Sequence, residues 1–158
     1  MKGSRRSDCP ISSALDLLGD RWSLLVMRDV LLRGMSHYRD FLASEEGIAT
    51  NILADRLSRL EAAGLLEKTA DDPRSGRQAY HATEKGKDLI PLLLEMVLWS
   101  AGHDPGVAVP GALITELKKD RAGTARAIRD TGGVEGFLGA LAGLFIADIG
   151  QDLAQFGD

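Results

Sequence analysis

A single cysteine, few aromatics and no surplus of positive charge set the first limits on this 158-residue chain. Cys9 alone can build neither an internal disulfide framework nor a cysteine-rich zinc site. With aromatics at 5%, the core must be filled by Leu, Ala, Ile and Val. The longest apolar stretch, 137–147, contains Gly139 and Gly143, and a membrane span needs about 20 residues. The opening Met-Lys-Gly-Ser-Arg-Arg-Ser-Asp leads into no secretory apolar segment, so a cytoplasmic location is expected. Net charge is −4, with residues 1–100 at −1 and 101–158 at −3. Any anion-binding surface must therefore be local, built from a few placed arginines. What remains is a soluble globular composition, 44% apolar and 27% charged.

The apolar period then outlines the elements. Ile11, Ala14, Leu15 and Leu18 share one face of a helix that Gly19 ends, and Asp20 is placed to cap a second helix over 21–32. That helix turns Trp22, Leu25, Val26 and Val30 inward. Ser36 can cap a short third helix carrying Tyr38, Phe41 and Leu42. After the turn Ser44-Glu45-Glu46-Gly47, a fourth helix spans about 49–63, with Ile52, Leu53, Leu57 and Leu60 buried. Residues 65–69 and 78–82 read as strands joined by the Asp-, Pro- and Gly-rich segment 71–77, a β-hairpin with a charged tip. Thr83 caps a helix over about 84–101, which Pro91 can kink. Two further helices are expected over 112–131 and 134–156, the latter with Leu138, Leu141, Phe145, Ile149, Leu153 and Phe156 on one stripe.

Three helices, a recognition-like helix, a two-stranded hairpin and a closing helix describe a winged helix-turn-helix. The expected class is mainly α with a small β-hairpin and an added C-terminal helical segment. Its division is a winged-helix domain at 1–103, a linker at 104–111 and a helical extension at 112–158. In such a unit a helix fits the major groove of B-DNA, and a basic hairpin tip reaches the minor groove or backbone.

Cys9-Pro10, the block Gly19-Asp20-Arg21-Trp22-Ser23-Leu24-Leu25 and Arg28-Asp29-Val30-Leu31 resemble the opening signature of HxlR-type bacterial regulators. Tyr38-Arg39-Asp40-Phe41 stands in that family's aromatic–acidic element. Gly47-Ile48, Leu53, Arg56-Leu57, Leu60-Glu61 and Gly64-Leu65 match its recognition-helix pattern. Thr83-Glu84-Lys85-Gly86 follows the wing as in the family, and Trp99 falls where its closing helix carries a tryptophan. The resemblance covers about 9–101, while the longer tip Asp72-Pro73-Arg74-Ser75-Gly76-Arg77 looks more like the wing of MarR-type regulators. It implies a homodimeric, DNA-binding transcription factor.

Candidate DNA contacts follow from position. On the fourth helix Thr50 and Asn51 can read bases, with Arg56 and Arg59 on phosphates. Arg74 and Arg77 at the hairpin tip suit the minor groove or backbone. Ser36 and His37 precede the third helix, where His37 can meet phosphate. Arg39, like Arg21 and Arg28, either touches phosphate or pairs with its adjacent aspartate. The expected partners are double-stranded DNA on a pseudo-palindromic operator and a second copy of the chain, with room for an unidentified small-molecule effector and no membrane. Cys9 reads either as a redox sensor or as a small side chain at an interface. His37, His81 and His103 fall at no metal-ligand spacing, Ser75 lacks an adjacent base and Cys9 a nearby histidine in sequence, and neither a metal, a cofactor nor an enzyme is expected. Both tryptophans are expected in the core. The other reading is a protein–protein adaptor on a winged-helix scaffold.

Overall fold

The computed structural model describes residues 7–72 and 76–142. Pro10 fixes the first turn of α1 (Pro10–Leu18), the N-terminal position where its missing N–H costs nothing. Gly19 ends the helix: its N–H donates to the Leu15 carbonyl at 2.8 Å, and a Cβ on Gly19 would lie 2.4 Å from that oxygen. Asp20 then starts α2 (Ser23–Leu31), its Oδ1 accepting from the N–H groups of Trp22 and Ser23 at 2.9 and 3.0 Å. The buried side of α2 is rotated from the expected one. Val26, Met27 and Leu31 are buried with Ser23 and Asp29, while Trp22, Leu25 and Val30 are only half-buried.

The third helix, α3 (Tyr38–Leu42), is capped by His37 rather than Ser36. Asp40 explains the shift, because its Oδ2 accepts from the His37 N–H at 3.1 Å and fixes the start one residue later. Gly47 takes a left-handed φ of +65° in the turn before α4 (Thr50–Ala62). Leu53, Leu57 and Leu60 bury that helix, whereas Ile52 is half-buried. At roughly 1.5–3 kcal/mol for each fully buried leucine, this stripe is a main source of the helix's stability. The wing is β1 (Leu66–Asp72) and β2 (Arg77–Ala82), antiparallel, with an irregularity between Ala70 and Asp72. Tyr80 donates its N–H to the Ser36 carbonyl at 2.7 Å, so the lead-in to α3 lies along β2.

Thr83 caps α5 (Glu84–Lys87), its Oγ1 accepting from Gly86 N–H at 3.1 Å. The helix expected over 84–101 is in fact two, since α6 (Ile90–His103) starts afresh. Continuing through would place the Pro91 ring against the Lys87 carbonyl; the break puts Pro91 in the first turn of α6, where proline is tolerated. Packing divides the chain after Leu89 into two units. In the second, the helix expected over 112–131 is likewise split, into α7 (Gly111–Lys119) and α8 (Arg121–Thr131). Asp120 causes the split by turning extended (φ −150°, ψ 94°) and capping α8 through Gly123 N–H at 2.9 Å. Residues 134–142 form a further helix, α9. Leu113, Leu117, Ala125, Ile128 and Phe137 are buried in this unit. The later members of the expected terminal stripe, Phe145, Ile149, Leu153 and Phe156, lie outside the described residues, as does the hairpin-tip residue Arg74.

Trp99 corrects the expectation of two core tryptophans. It is 67% exposed, stacked on His103 with ring centroids 4.9 Å apart. Its neighbours one and two turns earlier on α6, Met96 and Leu92, are also exposed. On α1 the same holds of Ile11 and Leu15.

Candidate nucleic-acid interface

The helix-turn-helix is α3, the turn over 43–49 and α4, and its geometry is held from beneath by ions. Asp29, 3% exposed, receives the Arg28 Nε and Nη2 at 2.9 and 2.7 Å and the Ser44 hydroxyl at 2.7 Å. Arg28 also grips Glu46, one arm at 3.0 Å and the other, Nη1 to Oε1, shorter. The α2 helix is thereby tied to the turn at two points, Ser44 and Glu46. The Arg28 hydrogen bonds outweigh burial and hold the Glu46 carboxyl at a pKa of about 2, far below its usual range. On Arg28 itself, burial works against the charge, and the bonds it donates to Glu46 and Asp29 overcome it and raise its pKa.

A second tie reaches α4. Arg56 Nη1 lies 3.3 Å from Asp20 Oδ2, and Nη2 lies 3.3 Å from Asp55 Oδ2. Burial raises the Asp20 pKa, but the Ser23 hydroxyl, the Trp22 and Ser23 N–H groups and the Arg56 charge together bring it below the ordinary carboxylate value. Tyr38 completes the frame by donating its hydroxyl to the Thr50 carbonyl at 2.7 Å, joining α3 to the first turn of α4.

Against this frame, the outward side of α4 is open. Asn51, Asp55, Ser58 and Arg59 are exposed opposite the buried leucines, and Thr50 is exposed in the first turn. Arg56 is not with them, its side chain being 17% exposed and paired as above. A groove of about 750 Å³ opens between the start of α3 and the wing, with Arg39, Lys68, Arg77 and Tyr80 in its walls. His37 faces this groove too, but its Nε2 is 3.1 Å from Asp71 Oδ2 and its Nδ1 is 3.1 Å from the Ser36 hydroxyl. Arg39 is exposed, while its neighbour Asp40 is committed to the His37 N–H. Arg21 lies over the Trp22 ring at 5.3 Å from its centroid. Thus Arg39 and Arg77 share one groove and Thr50, Asn51 and Arg59 are all exposed on α4, while Arg56 stands apart.

Sequence reasoning missed Lys68. The register pairs it with Tyr80 across the hairpin, and its ammonium lies 5.7 Å from that ring's centroid. A hairpin pairing of β1 with β2 would have placed it there, had the register been fixed. Cys9 is exposed at the start of α1, beside Ile11, Ser12, Leu15 and Asp16. Among the described residues there is no group of three or more His, Cys, Asp or Glu able to hold a metal, and no helix long and apolar enough to cross a membrane.

The HxlR-like helix-turn-helix family model matches residues 17–105. The chain belongs to that family. Among its relatives, an uncharacterised HTH-type transcriptional regulator of Synechocystis is 33% identical over 88 residues. The match spans 56% of this chain and 64% of the Synechocystis protein, so less than two thirds of that relative is represented. The solved structure of PA1607 is similar at a TM-score of 0.60 and 33% identity, covering 67% of this chain and 74% of that one. The redox regulator HypR in its oxidised form gives 0.55 and 25%, covering 60% and 97%. The relatives are named as regulators and not as enzymes. The winged-helix architecture and the HxlR-type resemblance expected from the residues are therefore both found.

Proposed function

We propose that the protein is a sequence-specific DNA-binding transcriptional regulator that acts as a homodimer in the cytoplasm. The observation that carries this is the exposed polar side of α4, held above two part-buried ion-pair ties and flanked by a cation-bearing groove. In this reading α4 enters the major groove, where Thr50 and Asn51 face base edges and Arg59 faces phosphate. The groove of Arg39, Lys68 and Arg77 takes the sugar–phosphate backbone, and the wing tip with Arg74 reaches the minor groove. His37 joins the backbone contact if it exchanges Asp71 for phosphate, and Ser36 orients its ring.

The dimer is supported by apolar side chains left in solvent on α1, Ile11 at 69% and Leu15 at 59%, and on α6, Trp99 at 67%. Two-fold symmetry implies a pseudo-palindromic operator. Division into a DNA-binding part over 1–103 and a helical extension over 112–158 fits this use, the extension being free to contribute to an interface or an effector site. Cys9, exposed and without a second cysteine in the chain, can sense oxidants only through a bridge between protomers or an adduct with a small thiol. The likeness to the redox regulator HypR supports that reading. The test is a gel shift against the DNA upstream of the protein's own gene at two salt concentrations, with sedimentation of the free protein. Selective, salt-sensitive binding by a dimer is expected; a monomer that binds all DNA equally would overturn it.

A further inference from the structure

We infer that Arg56 is a positioning residue: through Asp20 it locks the middle of α4 to the elbow between α1 and α2. Its role in DNA reading rests on the function proposed above; the tie itself does not.

The geometry of Arg56 argues against a phosphate contact. Its side chain is 17% exposed. Its Nε and Nη1 are sealed from solvent and have no hydrogen-bond partner among the described residues. A phosphate oxygen must come within about 3 Å of a guanidinium nitrogen to be bound, and two of the three nitrogens are closed to it. Arg39 and Arg59, by contrast, stand in solvent. The charge of Arg56 is instead answered by Asp20 and Asp55, each at 3.3 Å.

Asp20 is the better anchor of the two. Asp55 is 56% exposed and neighbours Arg56 on the same helix, so pairing with it fixes nothing between elements. Asp20 is held by Trp22 N–H, Ser23 N–H and the Ser23 hydroxyl, which leaves its carboxylate one orientation. It follows Gly19, whose contact with the Leu15 carbonyl admits no Cβ. A continuous run of fixed contacts thus leads from Leu15 on α1, through Gly19 and Asp20, to Arg56 on the helix that carries Thr50 and Asn51. Removing either charge frees α4 to tilt on its leucine stripe without opening that stripe to water.

The test uses the full-length protein with Asp20→Asn, Arg56→Gln and both together, and Arg59→Ala as a comparator. In the free protein, either single change should speed amide hydrogen exchange over 50–62 by about tenfold, and the double change should add little. On DNA, either should weaken selective binding by about tenfold while leaving unrelated DNA and the salt slope unchanged. Arg59→Ala should do the reverse, weakening all DNA and lowering the slope by about one. Asn keeps an acceptor for Trp22 and Ser23, so Asp20→Asn carries both measurements if Arg56→Gln fails to fold. If Asp20→Asn leaves exchange in α4 unchanged, the tie is refuted. If Arg56→Gln instead behaves like Arg59→Ala, Arg56 is a phosphate contact and the inference falls. Should the unaltered protein bind no DNA selectively, the proposed function fails, and the exchange measurement still decides the tie.

Discussion

Arg28 and Arg39 present the same sequence, an arginine followed directly by an aspartate, and the fold uses them in opposite ways. Asp29 is buried with both oxygens turned to side-chain donors, so it draws Arg28 inward. Asp40 sits at the third position of a helix whose first N–H needs an acceptor, so it turns to His37 and leaves Arg39 exposed. The difference lies in what else each carboxylate must satisfy. Of these two adjacent aspartates, the one held by side-chain donors keeps its arginine, and the one turned to the backbone N–H of a helix start does not.

Breaking the buried side of the comparison should have the largest effect. Asp29→Ala strands Arg28 in a partly desolvated site and removes the acceptor of the Ser44 hydroxyl. Loss of one partner from a buried pair costs about 3 kcal/mol or more. Urea unfolding should register that loss, with selective DNA binding falling alongside. An Asp29→Ala variant of unchanged stability would mean that the Arg28–Glu46 arm suffices to hold the turn.

The exposed reading face comes next. Thr50→Ala and Asn51→Ala should leave stability within about 0.5 kcal/mol, as surface changes do. For a good base contact each should reduce discrimination between operator and unrelated DNA by about 1–3 kcal/mol. Competition binding with a scrambled site measures this; unchanged discrimination in both variants would mean that α4 is docked with another face inward.

Acid sharpens the first prediction by testing Glu46 alone. Its folded pKa of about 2 lies below the ordinary 4.5, so it stabilises the fold fully above pH 4.5 and loses that effect as pH falls toward 2. Since Glu46 is a quarter exposed, solvent screening reduces the contribution to on the order of 1 kcal/mol. Glu46→Gln should therefore be less stable than the unaltered chain at pH 7, and the two should converge near pH 2. A gap that persists there would trace to packing and not to charge.

The element order, the leucine stripe of α4 and the hairpin were legible because periodicity reports burial directly. Two long helices were misread as continuous because their breaks lie in backbone conformation. At Asp120 the cap appears only once the residue turns extended, and at Pro91 a kink and a fresh start look alike in sequence. The site was half legible. Asn51 and Arg59 follow from facing away from the leucines and Thr50 from opening the helix, but Arg56, three residues after Leu53 and four before Leu60, flanks the stripe and is taken by Asp20, a partner 36 positions away. Trp99 was read as core on its residue type, although packing leaves it in solvent.

The smallest effect on stability, and the one that isolates the exposed side, belongs to Arg39. It pairs with no acid among the described residues, so Arg39→Ala should change unfolding free energy by less than about 0.5 kcal/mol. If it faces phosphate across the groove it shares with Lys68 and Arg77, its removal releases one fewer counterion. The salt slope of binding should then drop by about one, equally for operator and unrelated DNA, because a phosphate contact carries no sequence information. Asp40→Asn separates this from an indirect effect. It keeps an acceptor for the His37 N–H while removing the nearby negative charge, so DNA binding should hold or tighten slightly. A weakening in Asp40→Asn as large as that in Arg39→Ala would show that the start of α3 matters through its cap and not through the Arg39 charge.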